Sequence, residues 1–100
     1  MKLLTQPILK KLKKNASNHV FIDEKPVAKL FNPTGVGTWW LWSLDEDDVL
    51  FGVAEIHQRE VGYFTLDELK EFKGLFGLGI ERDMYYKPTK TFQQILNGEE

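Results

Sequence analysis

The sequence predicts an α+β fold: one antiparallel meander sheet of four to five strands, an N-terminal helix, a helix near residues 66–73 and a short C-terminal helix. Three observations predict it. Apolar residues recur at helical spacing in the opening segment, alternate with a period of two from Lys25 onward, and return to helical spacing after Thr65. The alternating segments are joined by short turns rich in Gly, Pro and Asp, which fits antiparallel neighbours, because a parallel pair needs a crossover of about a dozen residues. A chain of 100 residues with 42% hydrophobic content fills one core and seldom two. The expected organisation is a single domain over 1–100, with a basic amphipathic helix at 1–14, the core sheet and helix at 25–88, and a terminal helix at 91–97.

Thr5 is placed to cap the first helix and Pro7 is tolerated in its first turn. Leu4, Ile8, Leu9 and Leu12 form an apolar stripe opposite Lys10, Lys11, Lys13 and Lys14, and Asn15 to Asn18 ends the helix. Pro26–Phe31 reads as a strand, Asn32–Gly37 as a Pro/Gly loop, Thr38–Ser43 as a second strand and Leu44–Asp48 as an acidic turn. Val49–His57 and Val61–Thr65 are the third and fourth strands. Thr65 and Glu68 have capping-box spacing, so a helix should start there, with Leu66, Leu69 and Phe72 on one face and Gly74 as a left-handed stop. Met84–Lys87 is expected as a short returning strand, and Thr91–Asn97 as a last helix ended by Gly98.

Composition narrows the chemistry. The chain has no cysteine, which removes disulfides, thiolate zinc sites and cysteine nucleophiles and is compatible with a reducing cytoplasm, the expected location. Lysines interrupt the opening MKLLTQPILKKLKK before a signal-peptide apolar region forms, and no apolar run approaches the roughly 20 residues of a membrane span. Residues 1–14 hold five lysines and no acid, whereas residues 44–83 hold eleven acids against four bases. The acidic body is a poor duplex-DNA reader, since phosphate binding draws its strength from clustered Lys and Arg. Only the basic first helix suits that role, and its plainer reading is a core-packed helix with a solvated lysine face.

Each cluster that could carry chemistry has a plainer reading beside it. Trp39, Trp40 and Trp42 could stack bases, but their strand has no interleaved Lys or Arg, so core packing is favoured, with Trp40 and Trp42 on one face and Trp39 with Leu41 on the other. Asp45–Asp48 lacks the alternate ligands, glycine and distal glutamate of a calcium loop and reads as a solvated turn. Gly74, Gly77 and Gly79 share only glycine content with a phosphate loop. Glu55, His57 and Glu60 could in principle meet around an ion or act as acid and base, but only Glu55 and His57 would share a strand face and no third ligand is indicated, so a surface histidine beside carboxylates is favoured. No cofactor or metal is expected, and no catalytic set is identified. Glu81-Arg82-Asp83 carries the most weight: Arg82 is expected either in an internal salt bridge, with Glu60 as one partner, or on a binding face with Tyr63 and Tyr86. The candidate partner-binding residues are therefore Glu60, Tyr63, Glu81, Arg82, Asp83 and Tyr86.

The segments T-W-W-L-W-S, F-G-V-A, E-V-G-Y-F-T-L-D-E-L and G-L-G-I-E-R-D-M-Y-Y-K-P occur in an order that resembles a small uncharacterised family, a domain of unknown function, encoded by bacterial plasmids and phages. The resemblance covers roughly Lys29 to Pro88, leaving the lysine-rich opening and Thr91–Asn97 outside it. It implies a mobile-element setting and assigns no activity. The leading expectation is a small non-enzymatic interaction module, a phage or plasmid accessory protein that binds a host protein. Nucleic-acid binding through the basic N-terminal helix is the alternative, and a small hydrolase using Glu60, Glu81 or Asp83 is the third.

Overall fold

The structure, a computed structural model, describes residues 2–100; Met1, the first residue of the expected basic segment 1–14, lies outside the described residues. Five strands form one antiparallel sheet: β1 (Ala28–Phe31), β2 (Thr38–Leu44), β3 (Val49–Glu55), β4 (Arg59–Thr65) and β5 (Glu81–Arg82). Their spatial order is β4-β3-β2-β1-β5. The first four make the expected meander, while β5 returns to the outer edge of β1, pairing Arg82 with Leu30 and Glu81 with Phe31. The returning strand is thus Glu81–Arg82. The expected position, Met84–Lys87, instead opens with a turn in which the Tyr85 and Tyr86 amides both bond back to Asp83.

Helices cover both faces of the sheet. On one face lie α1 (Gln6–Asn15) and α2 (Leu66–Glu71), where Leu4, Leu12, Leu30, Trp39, Leu41, Leu44, Leu50, Leu66 and Leu69 are buried together. On the other, α3 (Phe92–Leu96) sets Phe92 and Ile95 against Trp40, Trp42 and Val53. The tryptophans alternate as their positions predict. The register to β3 slips between Leu41 and Ser43, leaving Trp42 as the extra residue of a β-bulge. Strict alternation would send Leu44 to the face of Trp40 and Trp42; the bulge returns it to the face of Leu41. Gly52 sits opposite this irregularity, where a Cβ would collide with the Trp40 carbonyl.

The helix ends show which capping readings hold. Thr5 precedes α1 in extended conformation without a side-chain cap bond. Thr65 Oγ1 accepts from the Glu68 amide at 3.1 Å, so α2 starts where the spacing places it. The reciprocal capping box is found at α3, where Thr91 Oγ1 accepts from the Gln94 amide and Gln94 Oε1 accepts from the Thr91 amide. Gly98 is left-handed (φ 84°), as a helix stop requires. Gly74 is not: it is extended (φ −93°), and α2 ends earlier because Phe72 turns out of the helix with ψ 134°. No helix among the described residues is long and apolar enough to cross a membrane.

Candidate functional site

The segment between α2 and β5, Lys73-Gly-Leu-Phe-Gly-Leu-Gly79, has apolar residues that belong to no helical or strand period. It folds into a tight turn in which the Gly74 amide donates to the Leu78 carbonyl at 2.7 Å and the Gly77 amide to the Gly74 carbonyl at 3.2 Å. A second loop braces it. The Leu75 amide donates to Thr34 Oγ1 at 3.2 Å, and Thr34 is itself held by Asn32 Oδ1, which accepts from its amide and its hydroxyl. A Cβ at 74 would run into Thr34 Oγ1, so a side chain there would displace the hydroxyl that braces the turn.

This bracing aims apolar side chains at solvent. Phe76, at the tip, is 95% exposed, flanked by Leu75 at 65% and Leu78 at 46%. Phe76 also holds the left-handed conformation (φ 59°, ψ 22°), which costs a residue with a side chain roughly 1–2 kcal/mol. Val36, on the bracing loop, is exposed as well. Backbone strain and apolar exposure thus coincide at one residue. Held strain and contiguous exposed apolar surface are both features of binding sites.

The residues singled out from sequence fall into two separate groups. Glu60 and Tyr63 lie on β4, one edge of the sheet, whereas Glu81, Arg82, Asp83 and Tyr86 lie on or beyond β5, the opposite edge. A salt bridge from Arg82 to Glu60 is therefore ruled out by topology. Arg82 instead donates to the carbonyls of Leu3 at 2.8 Å and Lys2 at 3.1 Å, pinning the segment before α1 to the sheet. Glu60 takes a bond from Gln58, and the Asp83 carboxylate serves its own turn. Tyr63 is exposed, but Tyr86 is half-buried and packs on the aromatic core, and the outward neighbour is Tyr85, 91% exposed.

The other clusters resolve toward their plainer readings. Asp45 Oδ1 accepts from the amides of Asp47 and Val49, closing the acidic turn, with Asp48 left-handed. Glu55 is paired with Arg59 at 2.8 Å rather than with His57. Among the described residues no group of three or more His, Asp or Glu gathers in metal-ligand fashion. Of the apolar stripe, Leu4 and Leu12 are buried and Ile8 and Leu9 partly so, while Lys10, Lys11, Lys13 and Lys14 are exposed.

Residues 3–97 match the family described as protein of unknown function (DUF2958). The chain belongs to that family. The match includes the lysine-rich opening and the Thr91–Asn97 helix, so both lie inside the shared domain rather than outside it. No curated protein and no solved structure matches the chain.

Phe76 was not singled out from sequence. A run of apolar residues between glycines, off any element's period, is a sign of an apolar loop, and the glycine spacing draws attention away from the side chains between them.

Proposed function

We propose that this member of the DUF2958 family is a non-enzymatic protein-binding module whose contact is the Leu75-Phe76-Leu78 loop tip. The observation that supports it is the strained, fully outward Phe76: a rigid aromatic presented on a braced turn loses little conformational entropy on entering a pocket, and aromatic anchors dominate interface energetics. The partner is accordingly a protein with an apolar pocket. A mobile-element setting, with a host protein in the cytoplasm as the target, follows the sequence resemblance and the cysteine-free composition.

Affinity capture tests this reading. Phe76→Gly relieves the left-handed strain, so its thermal midpoint should equal or exceed that of the parent, while the captured partner is lost. Tyr85→Ala, at an equally exposed tyrosine, should retain it. Equal capture by both variants would overturn the proposal.

One observation favours a second reading. A cleft of about 610 Å³ between α1 and α2 is lined by Lys2, Lys13, Lys70, Lys73 and Arg82 against Asp48 and Glu81, which extends the basic face of the first helix toward α2. Nucleic-acid binding would then run along this cleft. Capture that vanishes on nuclease treatment and weakens steeply with salt would favour it over the loop.

A further inference from the structure

The face covered by α3 carries a second polar constellation, separate from the loop. Trp40 is buried on β2, and its indole Nε1 donates to Glu100 Oε2 at 2.6 Å. Lys29, on β1, approaches the same oxygen at 3.3 Å, and its ammonium stands 5.4 Å from the Trp40 ring centroid and 5.9 Å from that of Tyr86. Arg59, on β4, stacks over Trp40 at 4.7 Å and donates to the carbonyls of Ile95 at 2.6 Å and Glu100 at 2.8 Å. Two strands thus converge one cation and a buried N–H donor on the Glu100 carboxylate, while Arg59, itself paired with Glu55, holds the main-chain oxygen of Glu100.

We propose that Lys29, Trp40, Arg59 and Tyr86 form a carboxylate-binding site for an acidic peptide side chain, and that Glu100 is its occupant within the chain. Lys29, Trp40 and Arg59 project from strands held in register by the sheet, and Arg59 is anchored independently of Glu100 by Glu55 at 2.8 Å. Glu100 itself follows the left-handed Gly98 and the exposed Glu99, so it can leave without disturbing α3. Its departure strands the indole N–H and leaves Lys29 without its carboxylate, which makes the vacated site select an anion. Glu100 also leaves the site incompletely used: the Tyr86 hydroxyl is buried there with no hydrogen-bond partner among the described residues. Burial first, then the charges of Glu100 and Asp83, push its pKa upward, so it stays a donor without an acceptor.

The test is an NMR titration of the tryptophan indole resonances with acetyl-glutamate amide, in the parent and in Glu100→Ala. The Trp40 indole should move saturably in Glu100→Ala, with half-saturation at least about tenfold lower in probe than in the parent, a difference of one decade in affinity. Trp42, whose indole donates to the Asn18 carbonyl, should stay still. Adding Lys29→Met to Glu100→Ala should abolish the movement, and adding Tyr86→Phe should weaken it. An immobile Trp40 resonance in Glu100→Ala, or equal half-saturation in the two proteins, would overturn the proposal. Tighter saturation by inorganic phosphate than by the carboxylate would overturn the assigned ligand class.

Discussion

The two faces of the sheet are built from different materials. Under α1 and α2 the buried side chains are aliphatic apart from Trp39, and the packing asks little of direction. Under α3 they are mostly aromatic: Phe21 meets Phe51 and Phe92 edge-on at 4.8 and 5.3 Å, and Trp42 meets Phe92 at 6.2 Å. Each tryptophan on this second face also has an indole N–H that needs an acceptor. Trp42 takes the Asn18 carbonyl from the segment after α1, and Trp40 takes Glu100 from beyond α3. The aliphatic face is closed by regular elements; the aromatic face is closed by irregular chain, because its polar tips must be met one by one. That difference explains why a helix of five residues suffices on the second face, where much of the cover comes from Phe21, Ile22 and Tyr86.

The largest effects are expected at the centre of each face. Phe92 and Leu30 are both fully buried. Phe92→Ala should cost about 3–5 kcal/mol and Leu30→Ala about 2–5 kcal/mol by urea unfolding. The faces should then part in character: loss of Phe92 unseats α3 and with it Glu100, so the Trp40 indole resonance should shift, while Leu30→Ala should leave it in place. A Phe92 variant with an undisturbed Trp40 resonance would show that the two halves of the aromatic face are independent.

The same division decides what was readable from sequence. Local pattern sufficed for the four-stranded meander, the start of α2 at Thr65 and the opposite facing of Trp39 and Trp40, because period and turn chemistry act within a few residues. The two-residue strand Glu81–Arg82 was not readable as such, since nothing in its own sequence distinguishes it from loop and its pairing is dictated by the free edge of β1. The Trp42 bulge was equally hidden, being a property of the register between two strands. Arg82 was expected either in a carboxylate salt bridge or on a binding face, whereas its partners are carbonyls some 80 residues away, and backbone acceptors leave no mark in the sequence. Lys29, Arg59 and Glu100 meet only through strand order and the course of the chain after α3, so no spacing among them could signal the site.

A smaller effect compares the two short helices. Thr65 contributes one side-chain bond to α2, whereas Thr91 is half of a reciprocal box on α3. Each Thr→Ala should lower stability by about 1 kcal/mol, the usual size for a lost N-cap oxygen, with Thr91→Ala no larger than Thr65→Ala because the residue-91 amide keeps its bond to Gln94 Oε1. Urea midpoints measure both. An unchanged midpoint for Thr91→Ala would mean that α3 is held by its packing and by the Phe92 and Gln93 amides, which bond to the Glu24 and Ile22 carbonyls.

The smallest effect at neutral pH is expected at Tyr86, and it sharpens the contrast most. A buried hydroxyl without an acceptor is a cost of folding, so Tyr86→Phe, which keeps the ring beneath Lys29 and removes the oxygen, should be neutral or stabilising by up to about 1 kcal/mol. The sign of the alkaline behaviour follows from linkage. Burial, Glu100 and Asp83 raise the folded-state pKa of Tyr86 above its ordinary value of 10.0, so its contribution is fully present below that pH. As pH rises past it, the unfolded chain releases this proton before the folded chain does, the unfolded state binds fewer protons, and stability falls. Urea unfolding of the parent between about pH 8 and about pH 11, across the ordinary tyrosine range, should therefore show a steeper loss than Tyr86→Phe over the same interval. Parallel curves would mean that the hydroxyl reaches water in the folded chain and ionises there as readily as in the unfolded one, and the aromatic face would then hold no stranded polar group.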